Sequence, residues 1–325
     1  MVRHRALVLG VNGQDGSYLA ESLLARGWLV DGVGRQPMSA WIPESKGFSY
    51  HALDLNNLVA LTALLHERKP GFIFHLAAVH GAAGFRYEDH WLESHTVNTL
   101  ATPAVLAHQR RHAPKSVLVY ASSSKAFDPT QVSVVSESTP RRSTCIYSTT
   151  KNAATDLIAY YRRQHRIMAS VVWTFNHESP RRRAEYFIPR VVSILANSIL
   201  DSGFKGEIGT LRFSADWGDA AEYMNFVGDM AEMAPGKDFV LASGTNLQAT
   251  QFVSELFGRH QLRWQDHLSE RDCVPTADPA PALHADLTAL RAALGRIPQR
   301  SIYDVCDQIL NRNHPDAWLK ARKSA

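Results

Sequence analysis

Short apolar runs alternate with amphipathic stretches through the first half of this chain. The runs ALVLG (6–10), WLVDGVG (28–34), GFIFHLAA (71–78), SVLVYAS (116–122) and MASVVWTF (168–175) have strand length and little polar interruption. Helical periodicity fills the intervals at about 16–26, 56–68, 90–112 and 147–166. Strands apolar on both faces and separated by helices predict a doubly wound α/β fold, a parallel sheet covered on both sides.

Beyond Phe175 the rhythm changes. Segments 186–201, 219–232, 248–258, 284–294 and 301–312 have helical character, with short strands expected near 207–213 and 237–242. This predicts a dinucleotide-binding domain over 1–175 and a smaller mixed α/β substrate lobe over 176–325, with some exchange of chain between them. The lobe is expected to wrap onto the carboxyl edge of the sheet, where such folds place their ligands. Val274 to Pro281 is expected to be a proline-rich loop, and Asp316 to Ala325 a polar, frayed end.

With 45% hydrophobic and 20% charged residues over 325 positions, a sizeable core is assured. The formal charge of +4 is mild for this length, and the arginines are scattered or in short clusters such as Arg181, Arg182 and Arg183. No basic stripe of the kind nucleic acid requires is present, so the expected partner is a small molecule. Three cysteines, Cys145, Cys273 and Cys306, are too few and too scattered for a disulfide framework or a metal site, and they point to a reducing cytoplasm. Neither a signal peptide nor a membrane-spanning run is evident, so the expectation is a cytoplasmic protein away from membranes.

The first apolar run leads into Gly10, Val11, Asn12, Gly13, Gln14, Asp15 and Gly16, and a helical run follows. Glycines so spaced let the backbone turn sharply and approach a pyrophosphate, whose charge then meets the N-terminus of the next helix, as in a Rossmann-type sheet. At the end of the second strand an acidic residue would hold the ribose hydroxyls of NAD, whereas an arginine suits the extra phosphate of NADP. This chain has Arg35 there, and Asp31 lies too early in the strand. The expected cofactor is NADP, with NAD as the alternative if Arg35 is only a solvated strand-end residue. Asp54 and Leu55, after a third strand, are expected beside the adenine, and Leu76, Ala77 and Ala78 along the pyrophosphate.

Tyr147 and Lys151 are four residues apart on a predicted helix and so share a face. The ammonium can lower the phenol's pKa and hold the nicotinamide ribose while the tyrosine exchanges a proton with a substrate hydroxyl. Ser122, Ser123 and Ser124 end the fourth apolar run, and Ser123 is best placed to bond the same substrate oxygen.

The GxxGxxG turn with YxxxK resembles the extended short-chain dehydrogenase/reductase superfamily. The runs GQDGSYLAE (13–21), FNHESPRR (175–182) and ADWGDAAEY (215–223) narrow this to a resemblance to the GDP-mannose 4,6-dehydratase family, from about residue 5 to 245. The resemblance implies bound NADP, transient oxidation of a sugar at C4, loss of water across C5 and C6, and return of the hydride. It also implies a homodimer or homotetramer paired through helices flanking the site. Asn176 is expected to face the crevice. Glu178, Arg181, Arg182 and Arg190 are candidates for substrate contacts, or else the arginines are solvated or paired with Glu178 and Glu185. His80 is either a substrate contact or a structural histidine.

The chain departs from that family where its elimination chemistry resides. The family's turn after the catalytic strand reads Ser-Thr-Ser-Glu, and its glutamate is the acid and base of the elimination. Here YASSSKAF (120–127) puts Lys125 in its place. Three readings follow: Lys125 is a desolvated base, it binds an anionic substrate group, or the step is lost or passed to a group such as His80 or Tyr147. Ala215 stands where the family has an arginine, and Val274-Pro275-Thr276-Ala277 where it has Arg-Pro-x-Glu. Both changes remove clamps on a diphosphate, so a different nucleotide sugar, or a sugar or nucleoside without a diphosphate, is expected. A sugar 4-oxidoreductase or epimerase is the alternative function, and a non-catalytic dinucleotide-binding protein the remote one.

Overall fold

The computed structural model describes residues 3–82, 84–271 and 281–324. Seven strands form one sheet in the order Phe239–Leu241, Met168–Thr174, Val117–Ser123, Phe72–His75, Arg5–Leu9, Leu29–Gly34 and Phe48–Ala52, every neighbouring pair parallel. The apolar runs are buried because helices cover both faces; Ala6 to Leu9 are fully inaccessible. Sequence order reverses between Arg5–Leu9 and Phe72–His75, which opens a crevice at the carboxyl ends of the strands. The fold is a Rossmann-type α/β sheet.

A second apolar core gathers Ile188, Val192, Trp217, Phe252, Phe257 and Ile309. The two cores are not divided by a single cut in the chain. The strand expected near 237–242 pairs with Val172, Trp173 and Thr174 and completes the large sheet, and helix Ala220–Met233 packs on helix Gln14–Ala25. Arg26 fastens these two helices through Asp229 at 2.7 Å.

Three other expectations change. The strand sought at 207–213 is split between Gly206–Ile208 and Ser214–Asp219. The carboxylate of Asp216 accepts the backbone N–H groups of Ser243 and Gly244 at 2.9 and 2.8 Å, and this fixes the second piece beside Asn246–Gln248. Residues 315–324 are a helix rather than a frayed end, since Pro315 suits a first helical position and Ala317 is fully buried. Helix formation in 284–294 begins only at Thr288, because His284 and Ala285 pair with Val134 and Val135. Cys273 and the proline-rich stretch through Ala280, with Val274 to Ala277, lie outside the described residues.

The stretch 90–112 is not one continuous α-helix. Trp91–His95 is α-helical, Thr96–Leu100 makes a π turn, and Ala101–His112 resumes the α-helix. The π turn brings Asn98 inward, where its Oδ1 accepts Val79 N–H at 2.8 Å and its Nδ2 donates to Thr150 Oγ1 at 3.1 Å. Tyr120 donates its hydroxyl to the Asn98 carbonyl at 2.6 Å. One residue thereby ties three walls of the crevice together.

Candidate active site

A cavity of about 830 Å³ occupies the crevice. One end is bare backbone. Gly10 has φ of +91°, and a Cβ there would stand 2.8 Å from the backbone of Ala77; at Gly16 it would stand 2.2 Å from the Gly10 carbonyl oxygen. Only glycine is tolerated at either position. Gly10, Asn12, Gly13, Gln14, Asp15 and Gly16 line this end with Leu76, Ala77 and Ala78, and helix Gln14–Ala25 starts here. Close-approach backbone at a helix N-terminus fits the pyrophosphate of a dinucleotide. The Asn12 amide is spent within the protein, bonding Gln36 Oε1 and the Met38 carbonyl at 3.0 Å and so anchoring the loop after the second strand.

Gln14 and Asp15 dock the segment that closes the cavity from the other side. His177 Nε2 lies 2.9 Å from Asp15 Oδ1; Gln14 Nε2 donates to the His177 carbonyl at 3.1 Å, and Ser179 Oγ donates to Gln14 Oε1 at 2.8 Å. Burial opposes both charges, yet the His177 charge and hydrogen bond bring Asp15 down to about 2, while Asp15 in turn raises His177 above the usual histidine range. Two of the three motifs that carry the family resemblance, GQDGSYLAE and FNHESPRR, are therefore physically one unit.

The reactive groups gather at the strand end. Helix Ile146–His165 begins with a cap in which Ser148 Oγ accepts the Cys145 N–H at 3.0 Å, so Tyr147 stands in the first turn and Lys151 one turn on. Ser123 and Tyr147 both line the cavity, and the Ser123 side chain favours the ionised phenol. Lys151 Nζ donates to the Ala121 carbonyl at 2.8 Å and lies 5.8 Å from the Tyr147 ring centroid. Ser122, also in the wall, has a buried hydroxyl without a hydrogen-bond partner among the described residues. Burial dominates the electrostatics here: it raises the Tyr147 phenol and lowers the Lys151 ammonium to about 7. Burial thus works against the acidified phenol expected from the spacing.

Opposite them stand His80 and Tyr186. His80 Nδ1 is 3.0 Å from the Tyr186 hydroxyl, and its ring meets the Tyr147 ring edge-on at 4.9 Å. Burial, then the charges of Lys125, Arg182, Lys151 and His177, hold His80 down at about 3, so its imidazole is neutral. Arg182 lies over the Tyr186 ring at 3.7 Å.

Several expected residues lie elsewhere. Lys125 is exposed and outside the cavity wall, in the one-turn helix that starts at Ser124, so the burial needed to make it a base is missing. Ser124 is outside the wall as well. Arg190 points away and donates to the Glu207 carbonyl at 3.2 Å. Glu178 is buried behind the wall, where burial raises its carboxyl to about 7 beside Arg182 at 3.5 Å. Asp54, Leu55, Asn176, Arg181 and Arg35 do line the cavity. The arginines of the wall are all engaged: Arg35 with Glu93 at 2.6 Å, Arg181 with Glu21 at 2.5 Å, Arg182 with Glu178, and Arg183 with Glu185 at 2.9 Å. Ala215 packs on the second core and brings no charge. Tyr186, Glu93 and His177 also line the cavity. His177 sits inside FNHESPRR, but no spacing announces the other two.

The sequence pattern described as GDP-mannose 4,6 dehydratase matches residues 7–305. GDP-mannose 4,6 dehydratase 2 of Caenorhabditis elegans is 31% identical over 279 residues, covering 81% of this chain and 73% of the relative. GDP-mannose 4,6-dehydratase of Vibrio cholerae is 30% identical over 268 residues, covering 78% and 71%. Among solved structures, a dTDP-glucose 4,6-dehydratase from Bacillus anthracis in complex with NAD superposes with a TM-score of 0.80 at 15% identity, covering 98% of this chain and 99% of that one. A UDP-N-acetylglucosamine 4-epimerase from Methanobrevibacter ruminantium gives 0.81 at 16% identity, covering 99% and 100%. At these identities the structures speak for the fold.

Proposed function

We propose that this chain, which belongs to the GDP-mannose 4,6-dehydratase family, is a sugar dehydratase that oxidises a ring hydroxyl to a ketone, removes water beside it and leaves the ketone in the product. The observation that carries this is the set of Ser123, Tyr147 and, one turn on, Lys151 at one end of a cavity whose other end is a glycine cradle. A nicotinamide dinucleotide, NADP by the Arg35 argument, would be held by Gly10 to Gly16, Asp54 and Leu76 to Ala78, and when bound supplies a hydride acceptor that later returns the hydride. Ser123 orients the substrate hydroxyl; Tyr147 accepts its proton as it gives up its own phenolic proton towards Lys151, which at about 7 is partly neutral and can take it on to solvent.

The ketone acidifies the neighbouring C–H, and a second group must take that proton and protonate the departing hydroxyl. Lys125 is exposed, whereas His80 and Tyr186 face the cavity as a hydrogen-bonded pair. We assign the elimination step to that pair. Ala215 brings no charge where the family has an arginine, so the substrate proposed carries less anionic charge than a nucleoside diphosphate sugar, as a nucleoside or sugar lacking that arm would. Incubation with NAD or NADP and a panel of nucleotide sugars and nucleosides, followed by mass spectrometry, should reveal one product lighter by one water.

The missing carboxylate at Lys125 favours one second reading: an oxidoreductase or epimerase that stops at the ketone or re-reduces it on the other face. A reductase consumes stoichiometric cofactor, and neither enzyme releases water.

A further inference from the structure

We infer that Glu93 is a specificity-determining residue of the dinucleotide site, setting the choice between NAD and NADP through its grip on Arg35. The inference rests on the dinucleotide reading above and adds to it a residue that the strand-end rule does not include.

Strand Leu29–Gly34 carries no available carboxylate at its end. Asp31 is buried and already held by Arg5 at 2.9 Å, His51 at 3.0 Å and Arg68 at 2.5 Å. The charge left beside the strand end is Arg35, and the structure does not leave it free. Glu93, delivered from helix Trp91–His95 nearly sixty residues later in the chain, places Oε1 2.6 Å from Arg35 Nη1, and both residues line the same cavity. The π turn that follows, anchored by Asn98, fixes where this helix sits. His90 is the other titratable group against Glu93, with Nδ1 at 3.8 Å from Oε2.

The Arg35 side chain is 62% exposed and that of Glu93 31%, so the pair is readily exchanged. A 2′-phosphate must part Arg35 from its carboxylate and then lie beside that carboxylate, a like-charge contact. A ribose hydroxyl, in contrast, can donate to Glu93 while the ion pair stays intact. Glu93 thus supplies from another part of the chain the acidic group that the second strand lacks, and it offsets the bias of Arg35 towards NADP.

The test is calorimetric titration of the full chain with NAD and with NADP, for wild type, Glu93→Gln, Arg35→Ala and the double variant. Glu93→Gln should tighten NADP binding about tenfold while NAD binding stays level or weakens. In the Arg35→Ala background that gain should vanish. Equal changes for both cofactors, no change at all, or a gain that persists without Arg35 would overturn the role of Glu93 and leave the dinucleotide site standing. A wild type that binds neither cofactor would overturn the dinucleotide reading and this inference with it.

Discussion

Asp15 and His177, 162 residues apart in sequence, meet at 2.9 Å and join the glycine-turn helix to the segment that closes the cavity. Each holds the other's charge against the penalty of burial. The lowered Asp15 contributes stability above its ordinary 3.8 and loses it as pH falls through about 2. The raised His177 contributes fully below its ordinary 6.5 and loses this as pH rises through its folded value. Asp15→Asn should therefore lower the melting temperature by about 2–6 °C near pH 6, and by clearly less near pH 9. Melting curves across that range check it; a difference independent of pH would mean that His177 is not charged in the folded protein.

Gly10→Ala should disable the cradle. The new Cβ would press on the Ala77 backbone at 2.8 Å, and φ of +91° is unfavourable for any side chain. The expected cost is about 1–3 kcal/mol of stability in denaturant unfolding. Dinucleotide binding, followed by titration, should be lost while the circular dichroism spectrum keeps its α/β form.

Tyr147→Phe keeps the ring contact with His80 but removes the phenolic proton. Turnover should fall about 10²–10⁴-fold with dinucleotide affinity unchanged, since proton exchange and not binding is lost. Ser123→Ala removes the hydroxyl that orients the substrate and favours the ionised phenol, and the expected loss is nearer tenfold. Steady-state rates paired with cofactor titrations separate the two effects.

Lys125→Ala should leave the rate of water loss within about threefold of wild type, because the side chain is exposed and outside the wall, away from the substrate. Tyr186→Phe should instead slow water loss about 10²-fold and let the ketone accumulate. Quenched reactions analysed for ketone and dehydrated product distinguish these variants. A silent Tyr186→Phe with an inactive Lys125→Ala would return the elimination to the lysine.

Much of the sheet could be read from the chain because strands buried on both faces are apolar without interruption, as in Leu7, Val8 and Leu9. Strand Phe239–Leu241 was visible as a strand but not as part of the large sheet, since its partner Val172–Thr174 lies more than sixty residues away and short apolar runs carry no address. Asp216 hid a strand, because a buried carboxylate satisfied by Ser243 and Gly244 reads as a polar loop residue. In the site, Tyr147 and Lys151 are legible because their spacing is local to one helix. Tyr186 and Glu93 are not, because they reach the cavity through the closing segment and the π turn, and no local periodicity encodes either.

The most direct test is the reaction in deuterated buffer with catalytic amounts of NADP, followed by mass spectrometry of the sugar or nucleoside product. The expected product has lost one water, keeps the ketone and has gained deuterium at the carbon beside it, with no net reduced cofactor. A product that keeps its water, formed with stoichiometric oxidation or reduction of the cofactor, would contradict the dehydratase and leave a simple oxidoreductase on the same Ser123, Tyr147 and Lys151 set.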